Sequence, residues 1–78
     1  MATAKVERAL ARVGKGPLGK AADDEPVFVL RGQDKIAWIM VDLWSALAEA
    51  DGCSPAKVAE ARALSAAMRA WPNQKSPD

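Results

Sequence analysis

Asp34-Lys-Ile-Ala-Trp-Ile-Met-Val-Asp-Leu-Trp-Ser-Ala-Leu-Ala-Glu-Ala50, followed by Asp51-Gly-Cys-Ser-Pro55, is the stretch whose reading decides the fold. At about 100° per residue, Ile36, Met40, Leu43 and Leu47 fall on one stripe, with Ile39 and Trp44 at its edges. That stripe reads as the core face of a helix. Asp34 or Gln33 stands near the N-terminus, where a polar or acidic group is favoured, and Gly52 lies just past the end. Lys35, Asp42, Ser45 and Glu49 gather on the opposite arc. Trp38 falls in the middle of that polar arc, and the pattern therefore predicts an indole facing solvent in a monomer.

On the C-terminal side, Ser54-Pro55 opens a second helix, with a hydroxyl N-cap and a proline where a missing N–H costs nothing. The helix is expected to run to about Trp71 and to stop at Pro72. Val58, Ala61, Leu64, Met68 and Trp71 form its predicted core face. Arg62 and Arg69, seven apart, share a flank beside Ala56, Ala59, Ala63, Ala66 and Ala70. Residues 73–78 are polar, contain Pro77 and read as a disordered tail.

On the N-terminal side, Val27, Phe28, Val29 and Leu30 are a run of high β preference between Pro26 and Gly32. A solitary strand leaves backbone donors and acceptors unpaired along both edges. The linker, a second copy or a partner's strand could satisfy them, and pairing across a homodimer is the expectation. A homodimer is also expected because so small a core rarely supplies more than about 3–5 kcal/mol. The fold class is thus mostly α: one short strand followed by two antiparallel helices over residues 26–72, behind a flexible or weakly helical segment over 1–25.

That N-terminal segment is basic. Over residues 1–20, Lys5, Arg8, Arg12, Lys15 and Lys20 against Glu7 give +4, so residues 21–78 carry −3 to reach the net +1. Thr3 could cap a short helix through Val13, ended by Gly14, but such a helix is too short to hold itself in water. Gly14 to Glu25, with three glycines, a proline and an acidic triplet, reads as a flexible linker.

With 78 residues there is room for one small domain. Half of them are hydrophobic, but 17 of those are alanine. There is no histidine and one cysteine, which excludes imidazole-based triads and His-ligated metals as well as an internal disulfide or a Cys-based zinc finger. No enzyme activity, cofactor or metal is expected. Ile36 to Val41, the longest apolar run, is far short of the roughly 20 residues of a membrane span, and the N-terminus lacks a signal-peptide h-region. A cytoplasmic protein without a membrane partner is the expectation.

Three motifs invite a chemical reading. Gly14-Lys-Gly-Pro-Leu-Gly19-Lys20 has the G-x-x-x-x-G-K spacing of a phosphate-binding loop, but Ala21 stands where a Ser or Thr should hold magnesium and no buried strand precedes it. A basic linker is the better reading. Asp23-Asp24-Glu25 has no recognised ion-binding spacing and reads as a solvated acidic patch. Cys53, ahead of a helix N-terminus, has no nameable base beside it and reads as a turn residue.

Pro26 to Trp71 resembles the ribbon-helix-helix repressors of the Arc and MetJ type, with Pro26-Val-Phe-Val-Leu-Arg31 as the ribbon and Asp51-Gly-Cys-Ser-Pro55 as the turn. The resemblance implies that two chains pair their strands and that Val27, Val29 and Arg31 face DNA, with Phe28 and Leu30 inward. The first helix is several residues longer than is usual there, and two of the three outward positions are valines. Pro26-Val-Phe-Val-Leu-Arg-Gly-Gln-Asp-Lys-Ile-Ala37, with spaced tryptophans after it, also resembles small proteins of phages and mobile elements, among which inhibitors of host defence, including anti-CRISPR proteins, are common. The leading expectation is a non-enzymatic interaction protein that occupies a surface on a larger host protein or protein–nucleic acid complex. Its expected partner-binding residues are Trp38, Lys35, Asp42, Arg31, Arg62 and Arg69. The alternative is a dimeric DNA-binding regulator.

Overall fold

The computed structural model describes residues 2–77. Four helices follow one another: α1 (Ala4–Arg12), α2 (Gly16–Lys20), α3 (Ala37–Ala50) and α4 (Pro55–Arg69). They pack in sequential pairs, α1 on α2 and α3 on α4, and the two pairs do not pack on each other.

The turn between α3 and α4 is built by local chemistry. Gly52 adopts φ +86°, its N–H donates to the Glu49 carbonyl at 3.1 Å and the Cys53 N–H donates to that of Ala48 at 2.9 Å. These two bonds are the Schellman pattern, which satisfies the last carbonyls of a helix and favours glycine at the left-handed position. The Ser54 hydroxyl then accepts the Lys57 N–H at 3.3 Å, and Pro55 opens α4. At the other end Asp34 does not start α3 but steers the chain into it, its carboxylate accepting the Ile36 N–H at 2.9 Å.

The hairpin closes on small side chains. Ala37 and Ser45 of α3 and Val58 and Ser65 of α4 are buried, with Val41, Ala48, Ala61, Leu64 and Met68 half-buried around them. The Ser45 hydroxyl donates to the Val41 carbonyl one turn back at 2.8 Å, so a polar residue fits the seam without an unmet hydrogen bond.

The predicted core stripe is therefore on the wrong side of α3. Ile36, Met40, Leu43 and Leu47, with Ile39 and Trp44, are 44–62% exposed. α3 has two apolar sectors, one of large residues and one of Ala37, Val41, Ser45 and Ala48. A helix with a single neighbour can bury only one of them. The alanine-rich α4 fits the small-residue sector, where the two backbones approach closely. Trp71, also predicted inside, is exposed.

The expected strand is absent: among the described residues the only β-bridge is an isolated parallel pairing of Asp34 with Lys75. Val27, Phe28 and Val29 are irregular and exposed, Phe28 by 87%. β preference expresses packing against neighbouring strands rather than a property of the isolated backbone, and no second strand lies among the described residues. Pairing across a homodimer is accordingly not seen either.

The segment read as flexible or weakly helical and the one read as a disordered tail both carry structure. Thr3 caps α1, its hydroxyl accepting the Val6 N–H at 3.3 Å, and α2 is a single turn folded back on α1 with Pro17 in its opening turn. Near the C-terminus Lys75 donates its N–H to the Gln33 carbonyl at 2.8 Å and accepts that of Lys35 at 2.9 Å. The Gln74 side-chain amide donates to the carbonyls of Met68 at 2.6 Å and Gly32 at 3.4 Å. The open end of the hairpin is thus tied from both sides.

Candidate interaction surfaces

Four of the six side chains expected to bind a partner converge. Trp38 and Asp42 project from α3, and Arg62 and Arg69 from α4, around an open groove floored by Ala66 and Ala70. Trp38 and Asp42 are one turn apart on α3 and Arg62 and Arg69 two turns apart on α4, so an antiparallel pair presents all four along one side. Arg31 and Lys35 do not join them. Both are exposed in the segment leading into α3.

Trp38 is not the solvent-facing indole expected from the helical pattern. It is half-buried, and the Arg69 guanidinium carbon lies 4.7 Å from its ring centroid, within range of a cation–π contact. α4 covers the sector that the sequence pattern left to water. Arg62 is engaged as well, its Nη1 2.9 Å from Oε2 of Glu49. Glu49, which reaches the groove only through this pairing with Arg62, was not among the selected residues; its signal is its place on the Asp42 arc of α3.

Chemically the groove offers an indole, two guanidinium groups and a carboxylate. The nearby Ser65 hydroxyl is committed to a main-chain carbonyl, that of Trp38, at 2.9 Å, and is therefore not a free nucleophile. Among the described residues no three His, Cys, Asp or Glu side chains are placed to hold a metal ion. Nor is any helix among them long and apolar enough to cross a membrane.

Two further surfaces are apolar: the large-residue face of α3, and the Val27-Phe28-Val29 segment. Cys53, half-buried, takes part in the Schellman turn through its backbone. The Gly14–Lys20 motif is accounted for by folding: Gly14 and Gly16 adopt φ +71°, and a Cβ on Gly19 would lie 2.7 Å from the Gly14 carbonyl carbon. The glycines let α2 turn back against α1; no strand precedes them as a phosphate loop would require.

No protein family matches the chain, and no curated protein or solved structure is significantly similar to it.

Proposed function

We propose that the chain is a non-enzymatic interaction module that engages a larger protein or protein–nucleic acid assembly through the groove of Trp38, Asp42, Arg62 and Arg69. The observation that carries this reading is the convergence of those four side chains with Arg69 already stacked on Trp38. Tryptophan and arginine are the residues most enriched at binding hot spots, and side chains held in place before binding lose less entropy when a partner arrives. The absence of histidine and the small size support a binder over a catalyst. The resemblance of the Pro26–Ala37 segment to phage and mobile-element proteins supports a specific role, an inhibitor that blocks a host defence assembly such as a CRISPR–Cas effector in the cytoplasm.

The test is capture of the partner from a host lysate, followed by titration of the purified assembly with variants. Arg69→Ala should weaken binding by about 30-fold, the hot-spot threshold of roughly 2 kcal/mol, while the chain stays folded. Undiminished affinity in Arg69→Ala and Arg62→Ala together would remove the groove from the interface.

The irregular Val27–Leu30 segment of high β preference just ahead of a helical hairpin favours a second reading, a ribbon-helix-helix regulator in which that segment becomes a strand only on pairing with a second copy. DNA binding by such a dimer would fall steeply with salt, in proportion to the phosphates neutralised. A protein contact through the groove would lose far less.

A further inference from the structure

We propose that the large-residue face of α3 is closed by a second copy of this chain, the two α3 helices packing antiparallel about a two-fold axis at Leu43. Ile39, Leu43 and Leu47 recur every four residues and form one ridge along the outward face of α3. The same spacing continues to Lys35 in the turn ahead of the helix and to Asp51, its C-cap. The ridge is symmetric in position about Leu43 and opposite in charge at its two ends. A two-fold axis at Leu43 sets Leu43 against itself, Ile39 against the partner's Leu47, and Lys35 against the partner's Asp51. Ridges of this four-residue type cross favourably at about −50°.

Charge supplies the second argument. α3 has no acidic residue in its first turn and no basic residue in its last; exposed Lys35 stands ahead of it beside Asp34, whose carboxylate accepts the Ile36 N–H at 2.9 Å, and Glu49, paired with Arg62, and exposed Asp51 end it. At the C-terminal end Asp51 opposes the helix dipole, which favours cations there. In an antiparallel pair the partner's Lys35 comes to that end and sets a cation against Asp51. A parallel pair would set like charges together.

The area is adequate for a modest dimer. Six large side chains about half exposed amount to roughly 500 Å² of apolar surface per copy, or on the order of 1,000 Å² for the pair, the lower limit for a specific interface. Ala46, Ala50 and the Lys35 stem add to it. Trp38 lies nine residues before Leu47 and so on the opposite side of α3, which leaves the groove open to another partner. The inference is therefore independent of the proposed function.

Analytical ultracentrifugation over about 1–200 μM, spanning the weak end of specific association, should show the 8.3 kDa chain shifting toward twice its mass. Leu43→Glu places two carboxylates at the axis and should leave a folded monomer throughout, whereas Arg69→Ala should dimerise as the parent does. Lys35→Asp and Asp51→Lys should each weaken the dimer and their combination should restore it. With Cys53→Ser as background, Leu43→Cys should form a disulfide-linked dimer under mild oxidant. A monomer at every concentration, a dimer indifferent to Leu43→Glu, or cross-linking through Phe28→Cys in place of Leu43→Cys would each overturn the proposal.

Discussion

The Ser65 hydroxyl on α4 donates to the Trp38 carbonyl on α3 at 2.9 Å, across the hairpin and between residues 27 apart in sequence. The side chain is buried and small enough for the two backbones to approach, so a single atom both sets the helix spacing and meets its own hydrogen-bonding need. Ser65→Ala should cost about 1 kcal/mol, the net worth of one such bond. Ser65→Leu should cost more, about 1–3 kcal/mol, because added volume must force the helices apart. Urea titration of the two variants ranks them, and the reverse order would mean that spacing, not the hydroxyl, is unimportant.

Trp38 now has two roles that one substitution cannot separate. As a half-buried indole under Arg69 it contributes to the fold, and Trp38→Ala should lower stability by about 2 kcal/mol, less than the 3–5 of a fully buried aromatic. Arg69→Ala removes only the stacked cation, at about 0.5–1 kcal/mol for an exposed site. In a double-mutant cycle of Trp38→Leu and Arg69→Ala by thermal melting, a coupling term within error of zero would show that the stacking carries no energy.

Local signals were legible from the residues, and relational ones were not. Gly52, Ser54 and Pro55 announce the turn because each acts on backbone groups within five residues of itself. The Val27–Leu30 run announced a strand, but a strand exists through its neighbour, and no such neighbour lies among the described residues. The hydrophobic pattern of α3 located the large side chains correctly and misplaced the core. Periodicity reports where apolar groups lie, not which of two apolar sectors the next helix will cover. The groove followed the same logic: Arg62 and Arg69 were visible as a pair on one flank, yet their meeting with Trp38 and Asp42 depended on the turn of α3 about its axis.

The C-terminal segment, read as a disordered tail, carries a specific structural task. Gln74 serves the Met68 and Gly32 carbonyls through one amide, and Lys75 pairs with the backbone on both sides of Asp34. Removing residues 74–78 should therefore destabilise the hairpin by about 1–3 kcal/mol, as for polar groups that lose their partners. It should also speed hydrogen exchange at the Lys35 amide, whose acceptor is the Lys75 carbonyl. An unchanged exchange rate at Lys35 would show that the pairing does not persist in solution.

The N-terminal helices should be separable from the rest, because α1 and α2 pack on each other and not on α3 or α4. Within that pair Gly19 is the point of closest approach: a Cβ there would lie 2.7 Å from the Gly14 carbonyl carbon, and that atom is backbone that no rotamer change can move aside. Gly19→Ala should release α2 from α1, and the freed α1, at nine residues, is too short to remain helical alone in water. Backbone chemical shifts over Ala4–Arg12 should move toward random coil, with those of α3 and α4 unchanged. Deleting residues 1–22 carries the same logic further and should leave the melting transition of the hairpin where it was. A fall of many degrees in that deletion would mean that the N-terminal helices support α3 or α4 after all, and the apolar face of α3 would then be the first place to look for their contact.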